Sequence, residues 1–278
     1  MIELPEAVVI SRELKETVCG RLITAVEMNG SPHKFAFFLD DPSDYEGYLK
    51  GKSFSASLSY GGMIELRAED YLLVFSDGVN LRFHEKDTRR PLKHQMLMEF
   101  SDGTALSASI QMYGGIWCFK EGTFQNEYRE AAMTRPSPLS SDFHEEYFLN
   151  LISENQVQKL SAKAFLATEQ RIPGLGNGVL QDLLWKAGIH PRRKVFTLST
   201  SEEIMLYHTL KELLEKMVAS GGRDTEKNLF GENGGYPARM SKLHMVEGCP
   251  ACSGEILKET YMGGSIYFCP ACQKLSSE

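Results

Sequence analysis

The spacing of hydrophobic residues changes twice along the chain. Residues 6–19 carry apolar side chains at helical intervals, and Gly20 is a plausible stop for that helix. From residue 21 to about 119 the pattern becomes one of short strands separated by turn formers such as Gly61-Gly62 and Asp102-Gly103. The predicted strands cover 21–28, 34–39, 53–59, 63–66, 71–75, 80–84, 95–100 and 104–111. Many short strands at this spacing predict a β-sandwich or a flattened barrel.

A second change follows Thr134-Arg-Pro-Ser-Pro138, which has the composition of a linker. Beyond it the periodicity predicts helices over 141–154, 156–168, 177–187 and 201–219. Thr200 and Glu203 are expected to form the capping box of the last helix, and Gly221-Gly222 to end it. The pattern therefore predicts an α+β chain with a β-rich part over 1–133, a helical part over 134–240 and a cysteine-bearing end over 241–278.

Four of the six cysteines form two identical knuckles near the end of the chain. Cys249, Cys252, Cys269 and Cys272 are arranged as C-x₂-C-x₁₆-C-x₂-C, a spacing that lets four thiolates surround one ion in a tetrahedral shell. Two disulfides or a redox pair are the alternatives, which a reducing compartment and the duplicated knuckle disfavour. We expect one structural Zn²⁺, because four protein ligands leave no open position for chemistry.

The charge of the chain is unevenly distributed. The net charge is −7, but residues 158–194 contain seven basic and two acidic residues, a local excess of +5. Such a run attracts phosphate if it lies on one face, or it is simply a solvated helical surface. No apolar run approaches the roughly 20 residues of a membrane span. The acidic N-terminus does not resemble a signal peptide, so a cytoplasmic location is expected.

The run Gly174-Leu-Gly-Asn177 precedes a predicted helix. Glycines allow a close approach of the backbone to a phosphate, and the amide groups and dipole of a helix N-terminus attract anions. Arg192 and Arg193 follow that helix and can add charge. An ordinary capped helix after a loop explains the same residues, and this segment by itself does not decide between the two.

Taken together, these features resemble the formamidopyrimidine-DNA glycosylase and endonuclease VIII family. The resemblance rests on Glu3-Leu-Pro-Glu6 leading into a helix, the β-rich first half, the Gly174-Leu-Gly-Asn177 turn, Ala187-Gly-Ile-His-Pro191 and the four-cysteine ribbon. It implies a β-sandwich domain, a helix–two-turns–helix domain and a zinc ribbon, with damaged duplex DNA between them. The damaged base is flipped out of the stack in such enzymes. The resemblance also implies a monomer associated with the nucleoid.

The family's catalytic groups map onto the first residues. Glu3 matches its catalytic Glu, which handles protons, and Glu6 matches its second acidic position. The attacking amine belongs to a proline at position 2, where this chain has Ile2. Ile2 is too bulky to favour removal of Met1, and an amine on Met1 lies one residue, up to about 3.5 Å, from the attacking position. Acidic side chains at a helix start also stabilise the helix dipole, which is the alternative role of Glu3 and Glu6.

Two further positions depart from the family. Its catalytic Lys aligns with Gly62, and its phosphate-clamping Arg aligns with Gly264, so two cations are missing. The DNA-contacting residues expected here are Asn177, Lys163, Arg171, Arg192 and Arg193.

Three functions follow as hypotheses. The first is a bifunctional DNA glycosylase and abasic-site lyase of base excision repair. The second is a non-catalytic protein that binds damaged DNA on the same fold, and it predicts binding that weakens with salt. The third is a scaffold that binds another partner.

Overall fold

The computed structural model describes residues 2–76 and 78–275. Helix α1 spans Leu4–Thr17, beginning two residues before the expected position 6. The earlier start has a local cause: Glu3 is the N-cap, Pro5 occupies the first turn, and the Glu6 carboxylate accepts a hydrogen bond of 3.2 Å from the backbone N–H of Glu3.

Nine strands of the first half form two sheets. The strands are β1 (Ile23–Met28), β2 (Ala36–Phe38), β3 (Ala56–Tyr60), β4 (Met63–Ala68), β5 (Tyr71–Phe75), β6 (Val79–His84), β7 (Met96–Phe100), β8 (Ala105–Ile110) and β9 (Gly114–Lys120). One sheet has the order β1-β7-β8-β6 and the other the order β2-β9-β5-β4-β3, with β2 parallel to β9 and the other neighbours antiparallel. Buried side chains from both sheets form one apolar core between them, which confirms the predicted sandwich.

Two elements of this half were not predicted. A short helix α2, Tyr45–Leu49, lies between β2 and β3, and strand β9 follows β8. Strand β9 is buried on both faces for most of its length, so its sequence lacks the alternation that reveals a half-exposed strand.

The second half is helical. Its helices are α3 (Glu127–Thr134), α4 (Glu145–Ser153), α5 (Asn155–Gln158), α6 (Ala162–Ala167), α7 (Val179–Lys186) and α8 (Thr200–Ala219). The helix expected over 156–168 is two helices, because Ser161 caps α6 by accepting a 3.2 Å hydrogen bond from the amide of Ala164. The cap of α8 is Ser199 with Glu202, one residue before the predicted pair Thr200 and Glu203.

Helix α3 was not predicted, and it lies directly before the linker expected at 134–138. Asn126 caps it, and Arg129 donates a 2.8 Å hydrogen bond to Glu65, a fully buried carboxylate on β4. This ion pair fastens the start of the second half to the sheet.

Helix α1 is shared by both halves. Ile10 and Leu14 pack into the core of the sandwich, whereas Leu4 packs into the core of the helical half and Val8 lies against it. The chain ends in an antiparallel hairpin of β10 (Leu257–Tyr261) and β11 (Gly264–Phe268) between the cysteine pairs. The N-terminal residues therefore lie where the sandwich meets the helical half.

Candidate nucleic-acid interface and the acidic N-terminal site

The carboxylate of Glu3 lies at the N-terminus of α7. Its Oε1 accepts a hydrogen bond of 2.7 Å from the amide of Gly178, and its Oε2 accepts bonds of 3.1 Å from Gly176 and 2.8 Å from Val179. The sequence had left open whether these amides bind an external phosphate or belong to an ordinary capped helix. In the structure the anion at this helix start is Glu3, which the helix dipole favours.

Arg223 joins Glu3 to Glu6 in the interior. Its Nε and Nη2 donate hydrogen bonds of 2.9 and 2.7 Å to the two oxygens of Glu6, and its Nη1 lies 3.4 Å from Oε1 of Glu3. The three residues are between 2% and 5% exposed. Burial alone would raise the pKa of Glu6, but the charge and hydrogen bonds of Arg223 outweigh it and hold that pKa below its usual value.

Glycines bring three backbone segments together around this cluster. The amide of Leu4 donates a 2.9 Å hydrogen bond to the carbonyl of Gly174. A β-carbon on Gly61, which has a φ of +52°, would lie 2.8 Å from the amide nitrogen of Gly174, and one on Gly62 would lie 3.2 Å from the carbonyl oxygen of Ile2. The β3–β4 turn therefore sits against the N-terminal segment, and a lysine at position 62 would crowd that segment.

Ile2 is 5% exposed and packs in the core of the sandwich. Met1, the other residue considered for the attacking amine, lies outside the described residues. The catalytic assignment of Ile2 and Met1 therefore stays a prediction from the resemblance, as do those of Glu3 and Glu6.

The cysteine-bearing hairpin packs against the start of α7. Asn177 Nδ2 and Gln181 Nε2 donate hydrogen bonds of 3.0 and 2.9 Å to the carbonyl of Ser265, and the amide of Tyr267 donates one of 3.0 Å back to Gln181. A β-carbon on Gly264 would lie 3.4 Å from Lys163 Nζ and 3.5 Å from Asn177 Nδ2. Gly264, where the family has its phosphate-clamping Arg, therefore lies beside Lys163 and Asn177, two of the residues expected to contact DNA.

Lys163 and Arg192 contact β10, the other strand of this hairpin. Lys163 Nζ donates a 2.7 Å hydrogen bond to the carbonyl of Tyr261, and burial lowers the pKa of Lys163. Arg192 lies 4.3 Å from the centre of the Tyr261 ring and pairs with Glu259 at 2.8 Å.

The remaining two expected DNA contacts are paired within the helical half. Arg171 is 7% exposed and forms an ion pair with Glu169. Arg193 pairs with Glu202 in the first turn of α8. Their contact with DNA stays a prediction. In the structure their ion pairs stabilise the loops around α6 and α8.

The four cysteines converge on one point. Their Sγ atoms all lie within 4.8 Å of one another, with 3.8 Å between Cys249 and Cys272 and 3.5 Å between Cys252 and Cys269. These separations exceed the roughly 2.05 Å of a disulfide bond. They match the roughly 3.8 Å between sulfurs of a tetrahedron whose metal–sulfur bonds are about 2.3 Å. The cluster can hold a metal ion.

Sequence reasoning missed Arg223. It lies in Ser220-Gly-Gly-Arg223, directly after α8, where the sequence analysis had used Gly221-Gly222 only as the end of that helix. No local signal marked it, because glycines and a basic residue are ordinary at the C-terminal end of a helix. Its partner Glu6 is 217 positions away in the sequence.

A β-sandwich, a helical half with a Gly174–Asn177 turn and a four-cysteine hairpin together define a helix–two-turns–helix protein of the DNA glycosylase type. Residues 135–228 match the model of the formamidopyrimidine-DNA glycosylase H2TH domain. The chain is 27% identical to the formamidopyrimidine-DNA glycosylase of Cytobacillus firmus, covering 98% of this chain and all of that one. It is 28% identical to that of Heliobacterium modesticaldum, covering 99% and 100%.

Solved structures agree with this comparison. The complex of the Lactococcus lactis enzyme with abasic-site DNA superimposes with a TM-score of 0.82 at 24% identity, covering 98% of this chain and 99% of that one. A complex of the same protein with a tetrahydrofuran-containing DNA and an inhibitor gives 0.81 at 25% identity, with the same coverage. Over almost its whole length the chain is similar to formamidopyrimidine-DNA glycosylases, and residues 135–228 match their H2TH domain. Among the described helices, none is long and apolar enough to cross a membrane.

Proposed function

We propose that this protein is a DNA repair protein that binds damaged duplex DNA between its sandwich half and its helical half. The observation that carries the proposal is the packing of the cysteine-bearing hairpin on the start of α7, which groups Lys163, Asn177 and Arg192 at one place. Relatives with the same architecture are glycosylases, and that of Lactococcus lactis has been solved with abasic-site DNA. The Arg192 side chain, which is 36% exposed beside this hairpin, suits the phosphates of a duplex.

The test is binding of a labelled duplex that carries a central abasic-site analogue, measured by fluorescence anisotropy over a range of salt. We expect tighter binding than to the intact duplex, and a linear fall of log K with log salt concentration. Arg192→Ala should weaken binding and reduce the magnitude of the salt slope by about 1. Lys50→Ala at the C-cap of α2, which also removes one exposed positive charge, is the matched control. No binding at low salt, or equal effects of the two substitutions, would contradict the proposal.

Zn²⁺ is the ion that we propose for the four-cysteine cluster. It would hold the hairpin in the shape that meets Asn177 and Gln181, and four thiolate ligands would leave it without a catalytic role. Metal analysis of the purified protein should find one zinc per chain, and a metal-free protein with an intact hairpin would contradict this assignment.

Excision of the damaged base, followed by strand cleavage, is a second candidate function. Glu3 favours it, because this residue lies at the junction of the two halves and matches the catalytic Glu of the family. Borohydride traps the Schiff base of that reaction, so a covalent adduct with abasic-site DNA supports excision, and bound DNA without an adduct opposes it.

A further inference from the structure

We propose that His244, Asp224 and Glu247 form a proton-dependent clasp, which fastens the segment leading into the four-cysteine hairpin to the loop after α8 and breaks as the pH rises. The inference concerns how the hairpin is attached to the helical half, so it does not depend on the proposed DNA binding. His244 lies between the end of α8 at Ala219 and the first hairpin cysteine, Cys249.

The first argument is that both ring nitrogens of His244 face a carboxylate. Nε2 lies 2.5 Å from Oδ2 of Asp224, and Nδ1 lies 2.7 Å from Oε1 of Glu247. An ionised carboxylate only accepts hydrogen bonds, so each of these contacts needs an N–H on the ring. A neutral imidazole has one N–H and the imidazolium has two. Only the protonated ring therefore donates both bonds, and loss of its proton leaves a nitrogen lone pair against a carboxylate oxygen.

The second argument is that the two carboxylates belong to different segments. Asp224 lies in the loop after α8, 20 positions from His244, and its amide donates a 2.8 Å hydrogen bond to the carbonyl of Tyr236. Glu247 ends the short 3₁₀ turn Met245–Glu247, two residues before the first cysteine pair. One imidazolium ring therefore joins the loop after α8 to the turn from which the hairpin starts.

The third argument is that the charges around the ring favour its protonated form. The side chain of His244 is 15% exposed and that of Asp224 is 20% exposed, so water screens this pair only in part. Arg239 donates a 2.8 Å hydrogen bond to Oε2 of Glu247, which leaves Oε1 to the ring. Hydrogen bonds to Asp224 and Glu247 raise the pKa of His244, and partial burial of the ring opposes them.

The direction of the pH dependence follows from this raised pKa. A group whose pKa is higher in the folded state contributes stability that is complete below its unfolded pKa, about 6.5 for a histidine, and is lost as the pH rises through the folded value. The clasp is therefore formed in acid and broken in alkali. An arginine–carboxylate pair behaves in the opposite way, because acid removes the charge of its carboxylate.

A second attachment limits the part of the chain that the clasp controls. The amides of Arg239 and Met240 donate hydrogen bonds of 3.1 and 2.6 Å to the buried carboxylate of Asp182 on α7. The chain is thus fastened to α7 just before His244, by donors that are backbone N–H groups and carry no titrating proton. Loss of the imidazolium proton should free residues 241–248 and leave residues 239–240 in place.

The first test is an NMR titration of the ring nitrogens of His244 in the full-length protein. The midpoint should lie above the roughly 6.5 of an unperturbed imidazole, and Asp224→Asn should lower it, because the ring then loses one of its two anions. A wild-type midpoint at or below that value, or a midpoint that Asp224→Asn leaves unchanged, would overturn the proposal.

The second test is urea unfolding of the wild type and of His244→Gln at two pH values. His244→Gln should raise the unfolding equilibrium constant roughly tenfold at about pH 6 and by less than about threefold at about pH 9.5, because only the imidazolium makes both bonds. His208→Gln is the matched control, since His208 is 55% exposed and faces a single carboxylate, that of Glu145, at 3.1 Å. It should have an effect below about threefold at both pH values.

An effect of His244→Gln that is the same at both pH values, or that grows with pH, would overturn the clasp. Equal effects of His244→Gln and His208→Gln would do the same. If His244→Gln does not fold, Glu247→Gln removes the more exposed of the two carboxylates, and its effect on unfolding is compared at the same two pH values with the same two readings.

Discussion

Gly178→Ala tests whether Arg223 holds the buried carboxylates of Glu3 and Glu6 in place. The added methyl group would lie 1.6 Å from Arg223 Nη1, so the guanidinium must leave its place. Glu3 and Glu6 would then remain as buried carboxylates without their counter-ion, since both are at most 5% exposed. Breaking a buried ion pair in this way costs about 3–5 kcal/mol.

The expected assay result is a large loss of stability. At about 2–4 °C per kcal/mol for a chain of this order of size, the cost corresponds to a fall of roughly 6–20 °C in melting temperature. Gly47→Ala is the matched control, because Gly47 is exposed in α2, has no positive φ and has nothing within 4 Å of its β-carbon position. Alanine there should change stability by less than about 1 kcal/mol.

A double-mutant cycle then identifies the cause. If the methyl group acts by expelling Arg223, Gly178→Ala should cost little in a protein that already carries Arg223→Ala, and the two effects should be far from additive. Additive effects, or a Gly178→Ala protein as stable as the Gly47→Ala protein, would refute the reasoning.

Three other predictions concern the hairpin and a cap. Cys252→Ser, or a strong chelator acting on the wild-type protein, should release the metal and abolish the salt-dependent DNA binding, with zinc release followed by a colorimetric dye. Gly264→Arg should tighten DNA binding and increase the magnitude of the salt slope by about 1, whereas Gly47→Arg, which adds the same charge elsewhere, should not. Hydrogen bonding to Arg193 lowers the pKa of Glu202 to about 2, so its stabilising contribution is complete above the unfolded pKa and is lost as pH falls through the folded one. The stability difference between wild type and Glu202→Gln should therefore be constant above about pH 5 and shrink steadily at lower pH in urea titrations; a difference that grows on acidification would contradict the pairing.

Most of the element types and the four-cysteine cluster followed from the sequence alone. Local periodicity separated strands from helices, because each element repeats its burial pattern within a few residues. The spacing of the paired cysteines predicted a shared site, because both members of each pair lie on one tight turn. Glu3 and Asn177 were singled out because each belongs to a short motif that is continuous in the chain.

Only the tertiary structure decided which residues Glu3 and Asn177 contact. The amides that Glu3 accepts from are 173 to 176 positions away, and Arg223 is 217 positions from Glu6, so no local pattern links them. The same limit explains why the sequence left open whether the helix N-terminus binds a phosphate: it shows that the amides need an anion but not which anion reaches them. Packing of α1 between the two halves places Glu3 there, and this long-range contact supplies the helix N-terminus with an anion from within the protein.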